Sequence, residues 1–147
     1  RYVKEFAKCG ADIITVHLEA CEDLKATLDA IHSCGVKAGV TIKPKTPVSE
    51  LIPYLDQAEM FLIMSVEPGF GGQAFIPESL DKIRELRRLL DERNLQTDIE
   101  VDGGIYQNNV AAVLEAGANV IVSGSGVYRG DIRNNVMGFM EILRNYE

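Results

Sequence analysis

The chain has 147 residues, enough to bury a core as one domain or part of one, and its 46% hydrophobic and 25% charged composition is that of a globular protein. A net charge of −7 argues against a broad nucleic-acid surface, and no apolar run approaches the roughly 20 residues of a membrane-spanning helix. Its three cysteines, Cys9, Cys21 and Cys34, are odd in number and lack CxxC spacing, which argues against a disulfide framework and fits a reducing, cytoplasmic compartment.

Apolar residues at helical spacing predict a first helix from Arg1 to Lys8, ended by Gly10. Asp12 to Val16 reads as a strand, rich in β-branched residues, that runs out into His17-Leu18-Glu19-Ala20. Asp23 caps a helix carrying Leu24, Leu28 and Ile31 and ending near Gly35. Val36 to Ile42 is a second strand, and Val48 to Gln57 a helix with Pro53 arguing for a kink or a late start. Met60 to Val66 is short and continuously apolar, as a strand buried on both faces is. Pro77 to Arg93 is an amphipathic helix, Asp98 to Val101 a strand and Asn108 to Ala116 a helix. Asn119 to Val122 is the fifth strand, and a last helix runs from about Ile132 to Tyr146.

Strand and helix alternate five times, which predicts parallel strands with helical crossovers. Two architectures satisfy that pattern: a five-stranded doubly wound sheet of flavodoxin type, or five units of a (β/α)8 barrel. In both, ligands gather at the C-terminal ends of the strands, and the chemistry-bearing residues of this chain sit there. Three successive strands end in glycine-rich loops: Gly69, Phe70, Gly71 and Gly72; then Asp102-Gly103-Gly104; then Ser123-Gly124-Ser125-Gly126. Loops of this kind turn backbone N–H groups toward one point and let an anion approach without Cβ obstruction. Basic residues are scarce there apart from Arg129, so amides and the Ser125 hydroxyl would hold a phosphate. His17 can be a metal ligand, a general base or a satisfied core histidine, with Glu19 able to orient it. Asp102 is either a working carboxylate at a strand end or the opening of an Asp-Gly turn. Met64 is ordinarily core, though a thioether also lines pockets.

Met64-Ser65-Val66-Glu67-Pro68-Gly69-Phe70-Gly71-Gly72-Gln73, Glu100-Val101-Asp102-Gly103-Gly104, Val122-Ser123-Gly124-Ser125 and His17-Leu18-Glu19-Ala20 together resemble the signatures of the ribulose-phosphate 3-epimerases, in order and spacing, across essentially the whole chain. The resemblance implies a (β/α)8 barrel that interconverts D-ribulose 5-phosphate and D-xylulose 5-phosphate, with one divalent cation, zinc, iron, manganese or cobalt. It implies metal ligation by His17 and Asp102, acid/base catalysis by Asp102, and substrate or phosphate contacts from Gly69, Phe70, Gly71, Gly72, Gly103, Gly104, Gly124 and Ser125, with Met64 lining the pocket. The family's His-x-Asp motif, which carries further ligands and the second catalytic aspartate, has no counterpart in this sequence. Residues 1–147 are therefore expected to be a single domain, the C-terminal part of a barrel, with three strands lying before Arg1. Alone, the chain is expected to be inactive or poorly soluble. A 3-epimerase for allulose 6-phosphate is the alternative within the class, and a noncatalytic phosphate-binding domain on a doubly wound sheet the alternative outside it. The expected partner is a small sugar phosphate, with no nucleic acid or membrane, and association into a homo-oligomer stays open.

Overall fold

The computed structural model describes residues 2–146. Five parallel strands, β1 (Ile13–His17), β2 (Lys37–Ile42), β3 (Met60–Met64), β4 (Asp98–Asp102) and β5 (Val120–Val122), pair in the order of the chain. That order decides between the two architectures. A flavodoxin-type sheet runs 2-1-3-4-5 and carries helices on both faces, whereas sequential right-handed crossovers put every helix on one side and curl the sheet toward a barrel. The chain thus forms five consecutive units of a (β/α)8 barrel, and the doubly wound alternative is set aside.

The alternation of side chains along each strand separates two layers. Val40, Ile42, Phe61, Ile63, Ile99 and Val101 are fully buried against the helices α2 (Leu24–His32), α3 (Ser79–Glu92) and α4 (Val110–Glu115), whose Leu28, Ile31, Ile83, Leu86, Leu90, Val110 and Val113 meet them in one core. The intervening residues Thr15, His17, Thr41, Leu62, Glu100 and Asp102 fall on the opposite, concave face. The helices α1 (Val3–Lys8) and α6 (Ile132–Leu143) flank the two edges of the sheet.

Several boundaries differ from those the sequence predicts, each for a local reason. The first helix begins at Val3, and Arg1 lies outside the described residues. The segment predicted as a helix from Val48 to Gln57 is a 3-10 helix over Val48–Tyr54. Pro53 has no N–H to donate back four residues, so an α-helix cannot propagate through it. β3 stops at Met64, two residues early, because Ser65 turns its hydroxyl to the carbonyls of Asp102 and Gly103, at 3.0 and 2.6 Å. The Ser123 to Gly126 segment, read as loop, opens a single helical turn, α5 (Ser125–Tyr128). Among the described residues no helix is long and apolar enough to cross a membrane.

Candidate active site

At the C-terminal ends of β3, β4 and β5 lies a cavity of about 390 Å³, a size that suits a small metabolite. Its wall contains Met64, Gly69 to Gly72, Asp102, Gly103, Gly104, Gly124 and Ser125. Ten of the eleven residues that the sequence singles out as catalytic, ligating or substrate-contacting line this cavity, and the eleventh, His17, ends β1 on the same face of the sheet.

The three loops are held in register by specific bonds. Ser65, fully buried, binds the β3 end to the β4 end through the two carbonyls already described. Gln73 Nε2 donates to the carbonyls of Glu67 and Phe70, at 2.6 and 2.8 Å, folding the glycine loop back on itself. The Tyr106 hydroxyl lies 2.7 Å from Ser125 Oγ and so links the loop after β4 to α5. Asn109 accepts from the Tyr106 amide at 2.8 Å and donates to the Gly104 carbonyl at 2.9 Å.

The glycines divide by what surrounds them. A Cβ on Gly104 would collide with the Phe75 amide nitrogen, and its φ of +65° already excludes most side chains; a Cβ on Gly103 would come within 2.9 Å of the Val66 nitrogen. These two are glycine because protein fills the space. Around Gly69, Gly71 and Gly124 a Cβ would meet nothing within 4 Å. All three line the cavity, and no neighbouring atom blocks an approach to their backbone, as a backbone anion cradle requires. Phe70, at 74% exposure, stands at the rim.

Asp102 projects from the last residue of β4 into this cavity, and burial pushes its carboxyl above the ordinary aspartate value. Glu100, two residues earlier on the same face, is raised as well, first by burial and then by the charge of Asp102. A carboxylate made more basic in this way is suited to accept a proton.

His17 ends β1 and lines a different depression, beside Tyr2, Phe6 and Thr15. Its Nδ1 is 3.3 Å from Glu19 Oε2. Glu19 in turn accepts from the Lys43 amide at 2.8 Å and from the Thr46 hydroxyl. Burial alone would raise its pKa, but these bonds outweigh burial and hold it at about 2. Lys82, from α3, donates to the carbonyls of Lys43 and Pro44 at 2.9 and 3.1 Å, closing the same corner. β1 and β4 are separated by β2 and β3, and the curl of the sheet turns the concave ends of both strands inward. Among the described residues no three His, Cys, Asp or Glu side chains are placed to share a cation. Asp102 stands in the cavity, and His17 stands on the same concave face at the end of β1, its ring oriented by Glu19.

Sequence reasoning singles out the motifs but gives no role to Ser65, Tyr106 or Glu100. Ser65 carries a legible signal, a hydroxyl inside an apolar strand run, which must find a partner when buried. Nothing in the sequence marks Tyr106, whose partner is 19 residues away.

Sequential parallel strands with glycine loops gathered at their C-terminal ends define a section of a barrel enzyme fold. Among solved structures, 3-hexulose-6-phosphate synthase from Salmonella typhimurium has that fold with a TM-score of 0.70 at 18% identity, over 99% of this chain and 67% of that one. The chain belongs to the ribulose-phosphate 3 epimerase family, whose model matches residues 1–128. It is 55% identical over 130 residues to the ribulose-phosphate 3-epimerase of Synechocystis sp., covering 87% of this chain and 56% of that protein. It is 48% identical over 128 residues to that of Escherichia coli K12, covering 87% and 57%. The chain therefore spans a little over half the length of these curated relatives.

Proposed function

We propose that the protein is a ribulose-phosphate 3-epimerase, interconverting D-ribulose 5-phosphate and D-xylulose 5-phosphate in the cytoplasm. The observation that carries this reading is the single cavity in which Asp102 faces three glycine loops, two of them with open space where a Cβ would stand. The amides of Gly69 to Gly72, with Gly124 and the Ser125 hydroxyl, receive the phosphate. The phosphate so held places C3 of the sugar against Asp102.

Epimerisation at C3 removes a proton α to the C2 carbonyl and returns one to the opposite face of a planar enediolate, so it needs an acid/base group on each side. Asp102 is the group for one face. Its raised pKa strengthens it as a base and moves the acid limb of the rate profile above the ordinary aspartate value of 3.8. Residues 1–147 act as the C-terminal part of a single eight-stranded barrel domain, and the group for the other face comes from the remainder of that barrel. A divalent cation would stabilise the charge developing on the two substrate oxygens. Of the residues of this chain, His17 and Asp102 would supply two of its donors.

The test is conversion of D-ribulose 5-phosphate to D-xylulose 5-phosphate by the full-length protein and its Asp102→Asn form. The native protein is expected to convert it, and Asp102→Asn to lose at least ~100-fold in kcat with inorganic phosphate binding retained. Normal turnover by Asp102→Asn would remove Asp102 from the mechanism.

A further inference from the structure

One cation stands at the rim of the cavity without an assignment. Arg129 ends α5, where its amide donates to the Ser125 carbonyl at 3.2 Å and its carbonyl accepts from Asn135 Nδ2 at 2.8 Å. The same Nδ2 donates to the Val127 carbonyl at 2.9 Å, so the backbone on which Arg129 is mounted is fastened to α6. From that mount the side chain crosses to the loop after β3: Nη2 lies 3.7 Å from the point where a Gly72 Cβ would stand. Arg129 shares an adjoining depression with Tyr106, Ser125 and Asn135, and Ser125 is common to it and to the cavity. No lysine or arginine is among the residues lining the cavity itself. Arg84 and Arg88 on α3 are engaged by Asp81 and Glu92, whereas the Arg129 guanidinium has no hydrogen-bond or ion-pair partner among the described residues.

We propose that Arg129 is a binding and specificity-determining residue that reaches the phosphate of the substrate from the rim, beside Gly72 and between the loops after β3 and β5. The proposal rests on the cavity being the sugar-phosphate site. Backbone amides approach a phosphate from one side and leave its remaining oxygens to water. A guanidinium adds a planar fork of donors and a full positive charge, which selects a dianion over an uncharged hydroxymethyl group. Its position between the loops after β3 and β5 lets one side chain bridge both walls of the cradle, and Gly72 leaves that path clear.

The experiment titrates the full-length protein and its Arg129→Ala, Arg129→Lys and Arg88→Ala forms with inorganic phosphate, and measures kcat and KM for D-ribulose 5-phosphate. Arg129→Ala is expected to weaken phosphate binding and raise KM about tenfold or more, with kcat within about twofold. Arg129→Lys is expected to recover part of the loss and Arg88→Ala to match the native protein, which separates a local contact from a change in net charge. Phosphate affinity and KM within about twofold of native in Arg129→Ala would overturn the proposal while leaving the cavity reading intact. Failure of the native protein to bind either inorganic phosphate or the sugar phosphate would overturn the cavity reading, and the role of Arg129 with it.

Discussion

The two faces of the same five strands are made of the same backbone and do opposite things. On the helix side, Val40, Ile42, Phe61, Ile63, Ile99 and Val101 are fully buried in one apolar core. On the concave side, one residue further along each strand, Glu100 and Asp102 stand half-buried, with carboxyls pushed above their ordinary values. Burying a carboxylate is costly, and a sheet selected for stability alone would place apolar groups at both positions. The period of two along a strand lets the two demands coexist, because each face is set by every other residue. Stability and chemistry are therefore separable by mutation in this protein, and the contrast can be tested from either side.

The largest stability effect belongs to the helix side. Phe61→Ala is expected to cost about 3–5 kcal/mol of unfolding free energy through the cavity it leaves, measured by denaturant titration. Among the glycines the contrast is sharper, since it compares neighbours of one type. Gly104→Ala would force a Cβ onto the Phe75 backbone at a positive φ and is expected to destabilise by roughly 1–3 kcal/mol. Gly71→Ala meets no atom within 4 Å. It is expected to change stability by less than about 0.5 kcal/mol while weakening inorganic phosphate binding, and equal effects of the two substitutions on stability would dissolve the distinction.

Smaller effects appear as pH dependence, with opposite signs in the two regions. The Glu19 pKa is lowered from 4.5 to about 2, so its contribution to stability is present above 4.5 and is lost as pH falls toward 2. Glu19→Gln should flatten that part of the acid-unfolding curve. Glu100 is raised, so the folded state binds its proton more tightly than the unfolded chain, and stability falls as pH rises from its ordinary 4.5 through the raised value. Glu100→Gln should remove that loss and leave the protein as stable as the native form, or slightly more so, at pH 7. A clear destabilisation by Glu100→Gln at pH 7 would contradict the sign.

Much of this division is legible in the sequence because it is local. Alternation within Asp98 to Val101, the heptad-like spacing of Leu28 with Ile31 and of Ile83 with Leu86 and Leu90, and the three glycine loops each depend on residues close together in the chain. What the sequence withholds is distance across the sheet. His17 and Asp102 occupy equivalent ends of strands that are 85 residues apart in the chain and have two strands between them, and only the curl of the sheet relates them. The order of the strands is equally invisible, since every βα repeat has the same pattern whether the sheet is doubly wound or sequential. The 3-10 helix over Val48–Tyr54 follows from a single residue, Pro53, whose effect on propagation a periodicity argument averages away, and the four-residue turn at Ser125–Tyr128 is too short to show a period.

The central claim is that the concave face removes a proton from C3 while the glycine loops hold the phosphate. Exchange of the C3 hydrogen of D-ribulose 5-phosphate in D2O tests it most directly, because it registers proton abstraction whether or not inversion follows. In the full-length protein, exchange is expected from both D-ribulose 5-phosphate and D-xylulose 5-phosphate, and to vanish in Asp102→Asn for the epimer whose C3 hydrogen faces Asp102, with inorganic phosphate affinity unchanged. Exchange at the native rate from both epimers in Asp102→Asn would contradict the account, and place the base somewhere other than the end of β4.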